Sequence, residues 1–156
     1  MNSSMMNLLF SAFLAMVPIS ELRGAIPVGL SNGIPLGLLF PVCVVFNLLP
    51  VPFIILFLRY VLKFMQKCGG FLKRIADWLI ERGEKKSEAV RKYEQLGLFL
   101  LVAIPLPGTG AWTGALVAAI MHLRLKKALL PIAAGVIVAG IVTTLVYRGV
   151  IHVAGL

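Results

Sequence analysis

The sequence predicts an all-α integral membrane protein made of two inverted repeats, and composition is the first reason. Hydrophobic residues make up 60% of the 156 positions and charged residues only 13%, whereas a soluble domain carries about 25% charged residues. A chain this short cannot enclose so much apolar surface in its own core. We therefore expect lipid to cover much of the molecule.

The basic residues are clustered, which is the second reason. The formal net charge is +9, and most of it falls between Arg59 and Lys92 and at Arg124, Lys126 and Lys127. Both clusters flank apolar runs, a pattern typical of anchors on anionic lipid at the cytoplasmic surface. Membrane lipids are the predicted partners, and no nucleic-acid partner is expected.

Four apolar stretches give the third reason. Residues 36–58 and 128–148 match the roughly 20 residues that a membrane-spanning helix needs. Residues 5–33 and 96–123 have a suitable length, but charged residues, prolines and glycines interrupt them. Backbone groups left unpaired at membrane depth are tolerated only where protein or water covers them. These two stretches are therefore predicted to be re-entrant hairpins.

The positions of the basic residues favour hairpins over four full crossings. Four crossings would place residues 59–94 and the Arg124–Lys127 cluster on opposite sides of the membrane. With two hairpins, both clusters are cytoplasmic and both chain termini lie outside, as the positive-inside rule requires. The prediction is a multi-pass protein of the cell (inner, cytoplasmic) membrane.

The predicted fold is a single membrane domain with internal repetition. Residues 1–62 form a first repeat (hairpin 5–33, span 36–58), and residues 96–156 form a second (hairpin 96–123, span 128–148). Residues 63–95 form a cytoplasmic amphipathic helical linker. A faint echo of Glu21–Ala25 in Pro107–Ala111 supports the repeat. Four short elements make a small enclosure, so we expect a homodimer.

Glu21 and Arg23 are the first candidate functional residues, because an ionisable group at membrane depth costs about 2.5–3.5 kcal/mol or more. In one interpretation they form a buried ion pair that holds the hairpin together. In the other, Arg23 binds an anionic headgroup or substrate while Glu21 takes up and releases a proton. A pair that opens on substrate binding would satisfy both interpretations.

The stretch Pro105–Gly114 is the second candidate site, because its prolines and glycines preclude a continuous helix. A helix that restarts near Thr109–Trp112 would present N–H groups to an anion, and a similar restart is expected near Gly24–Val28. The alternatives are close helix packing through Gly110 and Gly114 and an interfacial position for Trp112. The predicted substrate-binding residues are Arg23, Gly24, Pro107, Gly108, Thr109, Gly110, Trp112 and Thr113.

Asn47 lies inside the second apolar stretch, close to Pro50 and Pro52. It is predicted either to satisfy backbone groups that the prolines free or to line the transport path. His122 and His152 are lone residues near span ends, and Cys43 and Cys68 are packing residues. No metal site, cofactor or catalytic residue is predicted, and no hydrolase or nucleotide-binding motif indicates an enzyme.

The segments Glu21–Pro27 and Pro105–Gly114 together resemble the small multidrug export protein family, which is similar to the larger DedA/VTT membrane proteins. The resemblance implies a hairpin-containing transporter fold, with relatives that move polyprenyl-phosphate carriers or scramble lipids. Our first hypothesis is a proton-coupled transporter or flippase for an anionic amphiphile such as a polyprenyl phosphate or phospholipid. The alternatives are a proton-coupled exporter of cationic drugs, with Glu21 as the cation site, and a structural membrane protein without transport activity.

Overall fold

The computed structural model describes residues 3–68, 70–71, 73–78, 81, 94–104 and 109–154. Within these residues every regular element is an α-helix, which confirms the all-α prediction. We label the helices α1 (Ser3–Met16), α2 (Glu21–Ser31), α3 (Leu36–Leu48), α4 (Pro50–Cys68), α5 (Glu94–Ala103), α6 (Ala111–Ile120) and α7 (Leu125–Ala154).

Two helical hairpins occupy the stretches that the sequence predicts to be broken. Helices α1 and α2 pack together across a turn at residues 17–20, and α5 and α6 pack together on either side of a break that begins at Ile104. Proline and glycine account for both interruptions, since Pro18 and Gly110 stand at the turns. The hairpins thus correspond to the predicted segments 5–33 and 96–123.

Among the residues that the structure describes, two helices are long and apolar enough to cross a membrane, as predicted, and both extend beyond the predicted spans. The first runs from Leu36 to Lys67 through α3 and α4, and the second runs from Leu125 to Val153. The predicted spans, 36–58 and 128–148, lie within these helices, which extend beyond the spans at three of the four ends. Arginine, lysine and histidine mark the edge of a hydrophobic run without ending a helix, because their helix propensities are adequate.

Helix α4 continues to Cys68 and so includes the first residues of the predicted linker, 63–95. Residues 70–71 and 73–78 are helical. Phe71 and Trp78 are exposed there, and Ala76 is buried. Leu72 and Leu79, in the same segment, lie outside the described residues.

Small residues allow the hairpins to pack closely on the long helices. Helix α6 buries Ala111, Gly114 and Ala118 and packs against α4, while α5 packs against α7. A side chain at Gly114 would collide with Val102, so close packing at this glycine is confirmed. The core between the hairpins and the long helices therefore depends on alanine and glycine.

The turns that follow the two hairpins have the same hydrogen-bonding pattern. Ile34 N donates to Gly29 O at 3.1 Å, and Leu123 N donates to Ala118 O at 3.1 Å. The residue before each donor has a positive φ, 75° in the first turn and 53° in the second. Leu123 follows Ile34 by 89 positions, and the same spacing separates the two carbonyl acceptors.

That spacing of 89 positions differs from the spacing of 86 positions in the sequence echo. The echo placed Glu21 opposite Pro107, which lies outside the described residues. The turns instead place Glu21 opposite Gly110, and both of these residues have positive φ, 44° and 148°. Sequence identity between the segments is too low to have indicated this register.

Candidate functional site

The turns of the two hairpins meet at a contact that we call the hairpin junction, formed by Glu21, Arg23, Thr109, Gly110 and Trp112. Glu21 and Arg23 lie in the first turn of α2, which begins at Glu21 rather than near Gly24 as predicted. The predicted start of the other helix is confirmed, because α6 begins at Ala111. The junction thus brings together residues that are more than 80 positions apart in the sequence.

Glu21 caps the helix of the opposite hairpin. Its side chain is only 8% exposed, and its Oε1 accepts a hydrogen bond from the backbone N–H of Trp112 at 3.3 Å. The backbone N–H of Ala111 also interacts with this carboxylate. A helix N-terminus carries a partial positive charge that a carboxylate stabilises. The N–H groups predicted to bind an anion therefore already face a carboxyl group that the protein itself supplies.

Gly110 makes this approach possible. Its φ of 148° lies in a region that side-chain-bearing residues rarely adopt, and a Cβ atom at this position would collide with the Glu21 carboxylate. Glu21 itself has a φ of 44°, which is uncommon for a residue other than glycine. Strained backbone of this kind is concentrated at functional sites in proteins.

Arg23 binds the end of α5. Its Nη2 donates to Thr109 Oγ1 at 2.9 Å and to Ile104 O at 3.3 Å. The Thr109 hydroxyl in turn donates to Ile104 O at 2.8 Å. Because the last carbonyls of a helix have no partners within it, a guanidinium at this point stabilises the helix end. The charges of Arg23 and Glu21 are also close enough to interact.

Trp112 makes the reciprocal contact on the first hairpin. Its indole Nε1 donates to Met16 O, at the end of α1, at 2.9 Å. Trp112 follows Arg23 by 89 positions, so residues at equivalent places bind the carbonyl end of the first helix in the opposite hairpin. The indole N–H of Trp112 is therefore used inside the protein, and an interfacial position for this residue stays a prediction.

Asn47 holds α1 from the side of the long helix. Its Nδ2 donates to Ala15 O at 2.9 Å, and its side chain is completely buried. The prediction that Asn47 satisfies the backbone beside Pro50 and Pro52 is wrong, because the carbonyl that it binds belongs to another helix. Its Oδ1 is buried without a hydrogen-bond partner among the described residues. Whether Asn47 lines a transport path stays a prediction.

Two more of the predicted residues lie in the described part of the chain. Gly24 lies against the side chain of Ser20, and Thr113 is half-buried in the first turn of α6. Pro107 and Gly108 lie outside the described residues. Sequence reasoning missed the carbonyl acceptors at Ala15, Met16 and Ile104, because every residue carries such a group and no side-chain pattern marks it.

No group of three or more histidine, cysteine or acidic residues within the described part of the chain could hold a metal ion. His122 and His152 are exposed, and Cys43 is a buried free thiol. The chemistry at the junction is therefore that of one carboxylate, one guanidinium and the N-terminus of α6.

The long apolar helices and the family match define an all-helical membrane protein. Residues 21–142 match the family described as "Putative small multi-drug export protein", so the chain belongs to this family. The match begins at Glu21 and includes the whole hairpin junction. No curated protein and no solved structure matches the chain.

Proposed function

We propose that the protein is a proton-coupled exporter of cationic compounds, in which Glu21 binds either a proton or the substrate. The observation that carries this proposal is the buried Glu21 carboxylate at the contact between the two hairpins. The family description, which names small multi-drug export, supports the same class of function. The sequence analysis placed an anionic amphiphile first and cationic drugs second, and the present proposal reverses that order.

The arrangement of the helices supports a transporter with re-entrant hairpins. Helix α6 has 10 residues, about 15 Å at 1.5 Å per residue, whereas the hydrocarbon core is about 30 Å thick. Helices α2 and α5 are similarly short. Such helices suit hairpins that enter and leave on one side of the membrane, and the matching turns 89 positions apart suit an inverted repeat. We also propose that the linker is cytoplasmic and both termini are external, because the basic residues are clustered as the positive-inside rule requires. A homodimer is proposed because so few short elements make a small enclosure.

Coupling would follow from the contacts of Glu21. When ionised, its carboxylate accepts the N–H groups at the start of α6 and holds the two hairpins together. When it is protonated, the attraction to the N-terminus of α6 weakens, and the hairpins can separate. A cationic substrate and a proton would compete for the same carboxylate, as an exchange mechanism requires.

An anionic amphiphile is the second candidate substrate, and Arg23 together with the N-terminus of α6 favours it. A phosphate at this point would meet a guanidinium and helix N–H groups, both of which recognise phosphate. It would first have to displace the Glu21 carboxylate, which makes this candidate the weaker one. The relationship to the DedA/VTT proteins, whose relatives move lipid phosphates, stays a prediction.

Ligand-induced thermal stabilisation in detergent would distinguish the two substrates, because a ligand that binds the folded state raises the unfolding temperature. Cationic dyes are expected to stabilise the unmodified protein and to lose this effect in Glu21→Gln. The matched control is Glu81→Gln, which neutralises an exposed carboxylate in the linker. Stabilisation by polyprenyl phosphate but not by cationic dyes would contradict the proposal and favour the second candidate.

A further inference from the structure

An apolar groove lies between the start of α3 and the end of α7, away from the hairpin junction. Its volume is about 460 Å³, and its walls are formed mainly by Leu36, Phe40, Pro41, Ile141 and Leu145. Arg148 is the one charged side chain among its lining residues. The groove therefore combines a hydrocarbon-like interior with a single guanidinium.

Arg148 has a counterpart in the other half of the chain. Arg59 precedes it by 89 positions, the spacing that relates the turns after the hairpins, and Arg59 Nη2 donates to Leu123 O in the turn before α7. Arg148 likewise lies close to the start of a long helix, since it shares the groove with Leu36 and Gly37. The two arginines thus occupy equivalent positions. Each lies toward the end of one long helix and close to the start of the other.

The two arginines differ in their contacts. Arg59 is half-buried, and the protein supplies its acceptor. Arg148 is exposed, and it donates no hydrogen bond to any residue that the structure describes. A guanidinium with five donors binds phosphate in a bidentate geometry. Arg148 is therefore available to an anion from outside the protein.

We propose that this groove binds one phospholipid molecule, whose phosphate contacts Arg148 and whose acyl chain lies along the apolar walls. Leu36 begins one candidate membrane-spanning helix, and Arg148 lies near the end of the other. Both positions belong at the level where headgroups meet the hydrocarbon core. An apolar channel leading away from a cation is complementary in charge and polarity to a phospholipid.

The groove contains a glycine that allows a direct test of acyl-chain binding. A Cβ atom at Gly37 would meet no atom within 4 Å, and the same is true of Gly149, which does not line the groove. Gly37→Phe is therefore expected to fill the groove without disturbing the fold, and Gly149→Phe is its matched control. Arg124→Ala serves as the control for charge removal at the opposite end of α7.

The experiment is a titration of the detergent-purified protein with dioleoyl phosphatidylglycerol, with bound lipid counted by native mass spectrometry. Arg148→Ala is expected to weaken binding of the tightest lipid about tenfold, the size of one charge-assisted hydrogen bond. Arg148→Lys should weaken it less, and Gly37→Phe should remove it. Glycerophosphoglycerol, which lacks acyl chains, should not compete at equal concentration.

Two results would overturn the proposal. One is equal lipid binding in Arg148→Ala and Arg124→Ala, together with equal binding in Gly37→Phe and Gly149→Phe. The other is unchanged lipid binding combined with dissociation of an oligomer in the Arg148 and Gly37 variants, which would assign the groove to a second copy of the chain. Neither result depends on transport activity.

Discussion

The Glu21 carboxylate accepts the backbone N–H of Trp112 at 3.3 Å, although the two residues are 91 positions apart in the sequence. This bond joins the start of α2 to the start of α6. With the Arg23 and Trp112 contacts to the opposite helix ends, it makes each hairpin the cap of the other. These contacts between the two hairpins should therefore break together or persist together.

Replacing Gly110 tests whether the close approach of Glu21 matters for stability. Gly110→Ala adds a methyl group where the carboxylate lies and places alanine at a φ of 148°. Backbone strain of this kind costs about 1–3 kcal/mol, so the unfolding temperature in detergent should fall by roughly 5 °C. Gly149→Ala, at an open position without positive φ outside the groove, should not lower it, because alanine at a compatible helical position is neutral or stabilising. Equal unfolding temperatures in both variants would show that the junction does not depend on Gly110.

Trp112→Phe separates a junction role from a membrane-interface role. Phenylalanine keeps the ring but cannot donate to Met16 O, so we expect a loss of about 1 kcal/mol in stability and a lower unfolding temperature. Trp78→Phe, in the exposed part of the linker, is the matched control. If both variants unfold at the same temperature as the unmodified protein, the indole hydrogen bond contributes nothing to the junction.

Arg23 responds differently under the two candidate functions. For a phosphate-bearing substrate, Arg23→Ala removes a charge-assisted contact, and affinity should fall at least tenfold, with partial recovery in Arg23→Lys. For a cationic substrate, the same change removes a repulsive charge, and affinity should hold or increase. Arg23→Gln preserves a donor toward Thr109 and controls for loss of structure. Binding of a cationic dye that falls as steeply as binding of polyprenyl phosphate would contradict both interpretations of Arg23.

Membrane topology can be read from cysteine accessibility. With Cys68 replaced by serine, single cysteines at Ser3 and Val153, both exposed, should react with an impermeant maleimide from outside intact cells. A cysteine at Lys73 should react only after the membrane is permeabilised. The physical reason is the cytoplasmic preference of the two basic clusters. Labelling of Ser3 and Val153 from opposite sides would exclude the inverted-repeat topology.

The sequence was informative where a property depends on hydrophobicity or on backbone restriction. Apolar runs identified both long helices, and proline and glycine identified both interruptions, because these effects act locally. Glu21 and Arg23 stood out because charge is costly at membrane depth. Their relevance could be predicted without knowledge of any partner.

The partners themselves could not be predicted. Glu21 binds backbone N–H groups of α6, and Arg23 binds a backbone carbonyl after α5 as well as the Thr109 hydroxyl. The backbone groups are present in every residue, so no side-chain pattern marks them as partners. The offset of 89 positions between the two halves of the chain is visible in the geometry of the turns. It is scarcely visible in the sequence, because few residues are identical at this offset. Helix ends at Cys68 and Ala154 were missed because charge marks the membrane boundary rather than the end of a helix.

The measurement that tests the central claim most directly is proton release on substrate binding. If a cationic dye and a proton compete for Glu21, dye affinity should rise with pH in the range where the carboxyl group titrates, and each bound dye should release up to one proton. These quantities can be measured by calorimetry in buffers of different ionisation enthalpy. Glu21→Gln should release no proton and show no dependence of affinity on pH, while Glu81→Gln should behave like the unmodified protein. Undiminished proton release in Glu21→Gln would contradict the assignment of Glu21 as the coupling group.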